Sequence, residues 1–148
     1  MTAWRLRPGS AADIPILTAI EAAAFGTASW GGRGVEDGFR DRLVDTLVAE
    51  DAVAHPQGFL MWRRVGDEAE VLTLAVSPDQ QRRGCARALL DAALEALRGG
   101  GVRALFLEVD AGNRAAISLY ENCGFARIAR RRRYYRSGAD ALVMRADL

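Results

Sequence analysis

The sequence predicts an α/β domain, and two observations carry that class. Four stretches with helical apolar spacing alternate with seven short runs of strand character. The run Leu74–Leu90 then passes from a buried-looking strand through a basic, glycine-containing turn directly into a helix. With 148 residues the chain is long enough for one compact core and too short for two independent ones, so residues 1–148 read as a single domain.

Trp4 to Arg7 alternates like a short strand, and Ser10-Ala-Ala-Asp13 offers a helix cap with an acidic first turn. A helix to about Phe25 follows. Gly26 to Gly38 is glycine-rich and carries Trp30, which places a loop there before a second helix over roughly Val35 to Val48. Val53–Ala54, Gly58–Val65 and Glu70–Val76 read as three strands of a meander, separated by His55-Pro56-Gln57 and Gly66-Asp67. Ala86, Leu89, Leu90, Ala93, Leu94 and Leu97 form one apolar helical face, and Gly99-Gly100-Gly101 stops that helix. Arg103 to Val109 is the next strand. Asn113 caps a helix that Gly124 ends, and strands Ala126–Tyr135 and Ala139–Arg145 close the chain around Arg136-Ser137-Gly138.

Composition excludes several classes. Half of the residues are hydrophobic and the net charge is +1, so neither disorder nor a strongly charged partner is required. No apolar run approaches membrane-spanning length and the amino terminus lacks a leader's apolar region, which points to the cytoplasm. Cys85, Cys123 and His55 make neither a disulfide framework nor a zinc-site spacing, so no metal is expected. Both cysteines read as ordinary packed or partly exposed thiols, although Cys85 stands at a helix N-terminus beside arginines, a setting that lowers a thiol pKa. All 20 Lys+Arg residues are arginine, so a Walker-type phosphate loop, which needs Gly-Lys-Ser/Thr, is ruled out, as is self-acetylation on lysine side chains. The glycine triplet follows a helix rather than a strand, which rules out a dinucleotide fingerprint.

The turn before the helix at Ala86 has two readings. It is a phosphate cradle, in which the amides of the first helical turn bind an anion, Gly84 and Ala86 leave room, and Arg82, Arg83 and Arg87 steer. Otherwise it is an ordinary strand-turn-helix connection with solvated arginines. Glu108 likewise either carries chemistry inside a buried strand or shares one partly wet face with Phe106 and Asp110. Tyr120, Trp30, Tyr134 and Tyr135 can each be a packed aromatic or a site residue. The basic run Arg130–Arg133, flanked by Arg127 and Arg136, reads as a solvated face, with contact to RNA or an acidic acceptor as the sharper alternative.

The stretch from Val71 to Phe125 resembles the acetyl-CoA-binding part of the GNAT acetyltransferase superfamily. Leu105-Phe-Leu-Glu-Val109 with Asn113, Ala116, Leu119-Tyr120-Glu121 and Gly124-Phe125 is similar to the bacterial RimI-type enzymes, which acetylate the amino-terminal alanine of a ribosomal protein. So is the ending Tyr134-Tyr135 followed by Asp140-Ala141-Leu142-Val143-Met144. The resemblance covers the second half of the chain well, whereas the first half matches in layout, with Ser29-Trp30 where many relatives carry Pro-Trp.

That resemblance implies the GNAT fold, a mixed central sheet of about seven strands with helices on both faces. It implies acetyl-CoA as co-substrate, with the pyrophosphate on Gln81, Gly84 and Ala86 and the amides from Arg82 through Arg83, Cys85 and Arg87. Strand residues Leu74, Ala75 and Val76 would pair with the pantetheine arm and Asn113 would contact the cofactor. Glu108 is implied as general base and Tyr120 as general acid, in a direct transfer without acyl-enzyme or metal. A backbone N–H near Val76 would steady the oxyanion, and Trp30, Tyr134 and Tyr135 would line the acceptor groove. The expected partner is a protein N-terminus, that of a ribosomal protein, with no membrane or direct nucleic-acid partner and a monomer or weak dimer as the assembly. A small-molecule amine acetyltransferase and a non-catalytic acetyl-CoA-binding module are the alternatives.

Overall fold

Apolar alternation and helical spacing resolve, in the computed structural model, into seven strands and four helices, described for residues 3–148. The strands are β1 (Arg5–Pro8), β2 (Val44–Glu50), β3 (Pro56–Val65), β4 (Glu68–Val76), β5 (Ala104–Asp110), β6 (Ala126–Arg131) and β7 (Ala141–Asp147). The helices are α1 (Ile14–Phe25), α2 (Gly32–Arg40), α3 (Cys85–Gly99) and α4 (Arg114–Asn122). The sheet order is β1-β2-β3-β4-β5-β7-β6. It is mixed, because β4 and β5 pair in parallel, Glu68 to Glu70 against Ala104 to Phe106, while β1/β2, β2/β3, β5/β7 and β6/β7 are antiparallel.

The chain forms two compact units, one running to Arg63 and resuming over Leu72–Ala93, the other made of Arg64–Val71 and Leu94–Leu148. The core of the first joins Leu17 and Ile20 of α1, Val35 of α2, Val48 of β2, Phe59 and Met61 of β3 and Ala75 of β4. Its polar anchor is Arg7, whose guanidinium makes two 2.8 Å bonds to the Asp13 carboxylate and a 2.9 Å bond to Glu50. Asp13 also accepts the Ser10 N–H at 2.8 Å, so the turn into α1 and the first two strands share one ionic cluster. In the second unit, Leu105, Leu107 and Val109 of β5 are buried, as are Ile117, Phe125, Leu142 and Met144.

Three expected boundaries move. The second helix ends at Arg40, not Val48, because the Asp41 carboxylate takes the Leu43 N–H and the Arg63 guanidinium, and Val44, Thr46 and Val48 join the sheet between β1 and β3. Val53–Ala54 is a turn instead of a strand; Asp51 accepts the amides of Val53 and His55, and Ala54 takes φ +63°. The strand expected to run to Tyr135 stops at Arg131, since Asp140 binds the Arg133 amide and the Arg130 guanidinium and Arg133 turns to φ +50°. All six residues of β6 are exposed, its register slips between Arg127 and Ala129, and it ends the sheet.

Candidate active site

In the first unit, β4 runs to Val76 with Leu74 half-buried and Ala75 and Val76 buried. The Ser77 N–H donates to the Gln57 carbonyl at 2.8 Å, and Pro78–Gln80 makes a short 3-10 turn. The Gln81 side chain bends back, donating to the Val76 carbonyl at 3.3 Å. Arg82 (φ +63°) and Gly84 (φ +80°) are both left-handed, and alternation of such residues with ordinary ones turns backbone N–H groups toward an anion. Only glycine takes that conformation without strain, and a Cβ at Gly84 would meet open space.

The Gly84 carbonyl accepts the Ala88 N–H at 3.0 Å and so begins the helical ladder of α3, leaving the Cys85 and Ala86 amides outside it. The positive end of the helix points at the same opening. Arg82 and Arg83 are exposed, while Arg87 pairs with Asp91 at 3.1 Å along α3. An anion such as a diphosphate fits this donor set.

One sequence expectation fails here. Cys85 is buried, 2% exposed, and burial pushes its thiol up to about 12. Desolvation overrides the helix terminus and the arginines, so the thiol stays protonated and is no nucleophile. His55 lies exposed in the β2–β3 turn.

In the second unit, β5 alternates buried Leu105, Leu107 and Val109 with Phe106, Glu108 and Asp110, so Glu108 does share a partly wet face. Its carboxylate pairs with the Arg131 guanidinium at 3.2 Å. The Tyr134 hydroxyl also binds it, and that hydrogen bond is the main reason the Tyr134 pKa is raised. Arg131 lies 5.5 Å over the Tyr134 ring, and Tyr134 and Tyr135 meet edge to face at 5.2 Å. Burial, then the charges of Glu108 and Asp110, push Tyr135 up to about 12. Three of the expected residues thus belong to one cluster: Glu108, Tyr134 and Tyr135.

Asn113 caps α4, its Oδ1 accepting the Ala116 N–H at 3.2 Å. Tyr120, two turns along α4, packs edge to face against Phe125 at 5.8 Å, and desolvation pushes its phenol up to about 12. Trp30 stands 42% exposed on the loop between α1 and α2. Among the described residues no group of three or more His, Cys, Asp or Glu is placed to hold a metal ion.

Three contacts escaped sequence reasoning. The Trp4 indole donates to the Arg83 carbonyl at 3.0 Å, fastening the loop from 79 positions away, and no local pattern announces it. Arg131 on Glu108 is equally non-local. Glu21 was legible as a lone acid in the apolar stretch of α1, and its carboxylate receives the Ser29 hydroxyl and, at 2.6 Å, the Trp30 amide.

The Acetyltransferase (GNAT) family matches residues 20–125. The chain is 45% identical over 135 residues to the ribosomal protein bS18-alanine N-acetyltransferase of Escherichia coli (strain K12), covering 89% of each chain. It is 37% identical over 139 residues to the protein of the same name from Salmonella typhimurium, covering 91% of each. The crystal structure of the ribosomal-protein-S18-alanine N-acetyltransferase from Escherichia coli superposes with a TM-score of 0.90 at 32% identity, over 98% of this chain and 94% of that one.

Proposed function

The chain belongs to the GNAT acetyltransferase family, and from that premise we propose that it acetylates the α-amine at the N-terminus of a protein, the N-terminal alanine of a ribosomal protein, in the cytoplasm. The observation that carries this reading is likeness to enzymes named for that acceptor along nearly the whole chain, the acceptor-side first half included. Strand β4 and helix α3 each contribute to both compact units, which favours one catalytic domain over residues 1–148.

Acetyl-CoA supplies the acetyl group as a thioester. The open Gly84 turn, the Cys85 and Ala86 amides and the exposed Arg82 and Arg83 suit its diphosphate, with Leu74–Val76 as the strand for its pantetheine arm. Asn113 spends its Oδ1 on the helix cap, so what it offers a ligand is its NH2 group.

Glu108 takes the proton of the acceptor ammonium, directly or through water, and the freed amine attacks the thioester carbonyl; the C–N bond forms as the C–S bond breaks, the nitrogen gives its surplus proton to water, and CoA departs as the thiolate. Tyr120 keeps its proton and offers it to the departing sulfur. Its pKa of about 12 lies above the ~8.5 of a thiol, so full transfer to a finished thiolate would run uphill by about 5 kcal/mol. The phenol therefore acts while charge is still building on sulfur, as a hydrogen-bond donor. The buried, protonated Cys85 argues against an acyl-enzyme.

The test is steady-state transfer to free-N-terminus peptides beginning Ala, Ser, Met or Gly, beside lysine side-chain peptides and small amines. Preference for the Ala peptide is expected. Activity confined to small amines would overturn the acceptor assignment, and silence across the panel would overturn the enzyme. Glu108→Gln should lower kcat by about 10²–10⁴-fold while acetyl-CoA still binds.

A further inference from the structure

The α1–α2 loop is built around a carboxylate that the reaction does not use. Glu21 is 2% exposed in the middle of α1. A buried carboxylate is retained only where its oxygens are satisfied, and both are: Oε1 by the Ser29 hydroxyl, Oε2 by the Trp30 amide at 2.6 Å. Ser29 Oγ in turn accepts the Gly31 amide at 3.1 Å, so one buried acid sets three consecutive loop residues. The Trp30 ring lies flat on bare backbone at Gly34, where a Cβ would fall 2.4 Å from it. One face of the indole is thus packed on α2, yet the residue stays 42% exposed. A large aromatic held this rigidly, with its remaining surface in solvent, has the construction of a recognition wall rather than a core filler.

We propose that Glu21 is a positioning residue that fixes Trp30 as the wall against which the first residues of the acceptor peptide dock. This rests on the reading of the protein as an N-terminal acetyltransferase. Glu21 touches neither acetyl-CoA nor the reacting atoms; it acts through the loop.

Glu21→Leu removes both acceptor oxygens and should raise the KM for an Ala-starting peptide at least tenfold, leaving the KM for acetyl-CoA within twofold. Glu21→Gln should recover most of that loss, because its carbonyl can face the Trp30 amide and its NH2 the Ser29 oxygen, which can turn to accept. Ser29→Ala, which leaves the acid in place, should raise the acceptor KM several-fold and serves if the leucine variant fails to fold. In a Trp30→Ala background, Glu21→Leu should add less than threefold. Glu21→Leu acting as strongly without Trp30, or shifting both KM values and kcat together, would overturn the proposal. A parent protein that acetylates no peptide α-amine would instead overturn the function it rests on.

Discussion

A phenol that holds its proton to about pH 12 leaves a recognisable mark on kinetics. Tyr120 should contribute no alkaline limb below pH 10, so between pH 6 and 9 the rate follows the acceptor amine, whose ordinary pKa is ~8. Tyr120→Phe should lower kcat by about 10²-fold or more with the profile's shape unchanged over that range, measured as kcat against pH for both proteins. Burial acts on Cys85 in the same direction with the opposite consequence for reactivity. At pH 8 its thiol should resist iodoacetamide in the native protein and react once the protein is unfolded in urea, as followed by mass spectrometry. The sequence placed Cys85 correctly at the head of a helix, but a terminus seen in sequence says nothing of what lies over the side chain. Glu108 was half legible: the sequence offered a partly wet face shared with Phe106 and Asp110 as one of two readings, while its partners Arg131 and Tyr134 required the fold.

Elements were easier to order than to bound. Most elements follow the expected succession, because apolar periodicity is a property of each segment, but the strand expected at Val53–Ala54 is a turn and β2 lies where the second helix was expected. β2 was missed as a strand because Val44–Val48 also satisfies a helical spacing, and what decides is pairing with β1 and β3, which is long-range. That pairing is locked by Arg7. Arg7→Ala should destabilise the protein by about 2–3 kcal/mol, the range for losing charged, partly buried hydrogen bonds, measured by urea unfolding at pH 7.

The Arg7 guanidinium holds Asp13 below the usual carboxylate range, so this stability is present above the unfolded Asp value of ~3.9 and disappears as pH falls through the lower folded value. The stability gap between the parent and Asp13→Asn should therefore close on acidification toward pH 2. At the loop proposed to hold the acetyl-CoA diphosphate, Gly84→Val forces a β-branched residue to φ +80° and should raise the KM for acetyl-CoA at least tenfold, with the acceptor KM much less affected.

Across the whole sheet, the arginines follow the topology. Arg127, Arg130 and Arg131 read in the sequence as a solvated face, with RNA or an acidic acceptor as the sharper alternative, and the sheet order puts them on its last strand, where Glu121, Asp140 and Glu108 answer them. Strand order could not be read from the chain, since β7 inserts between β5 and β6 by long-range pairing alone. The terminal position of β6 bears on solubility. An outermost strand offers unpaired backbone groups that a second copy can extend into a fibril-like ladder, and bulky charge combined with a slipped register is a known deterrent. Replacing Arg127 and Arg130 with threonine keeps strand propensity while removing that repulsion, and light scattering on concentrated protein should register self-association that the parent resists. Self-association of that variant would mark the arginine-rich rim as what keeps neighbouring molecules from growing onto the sheet.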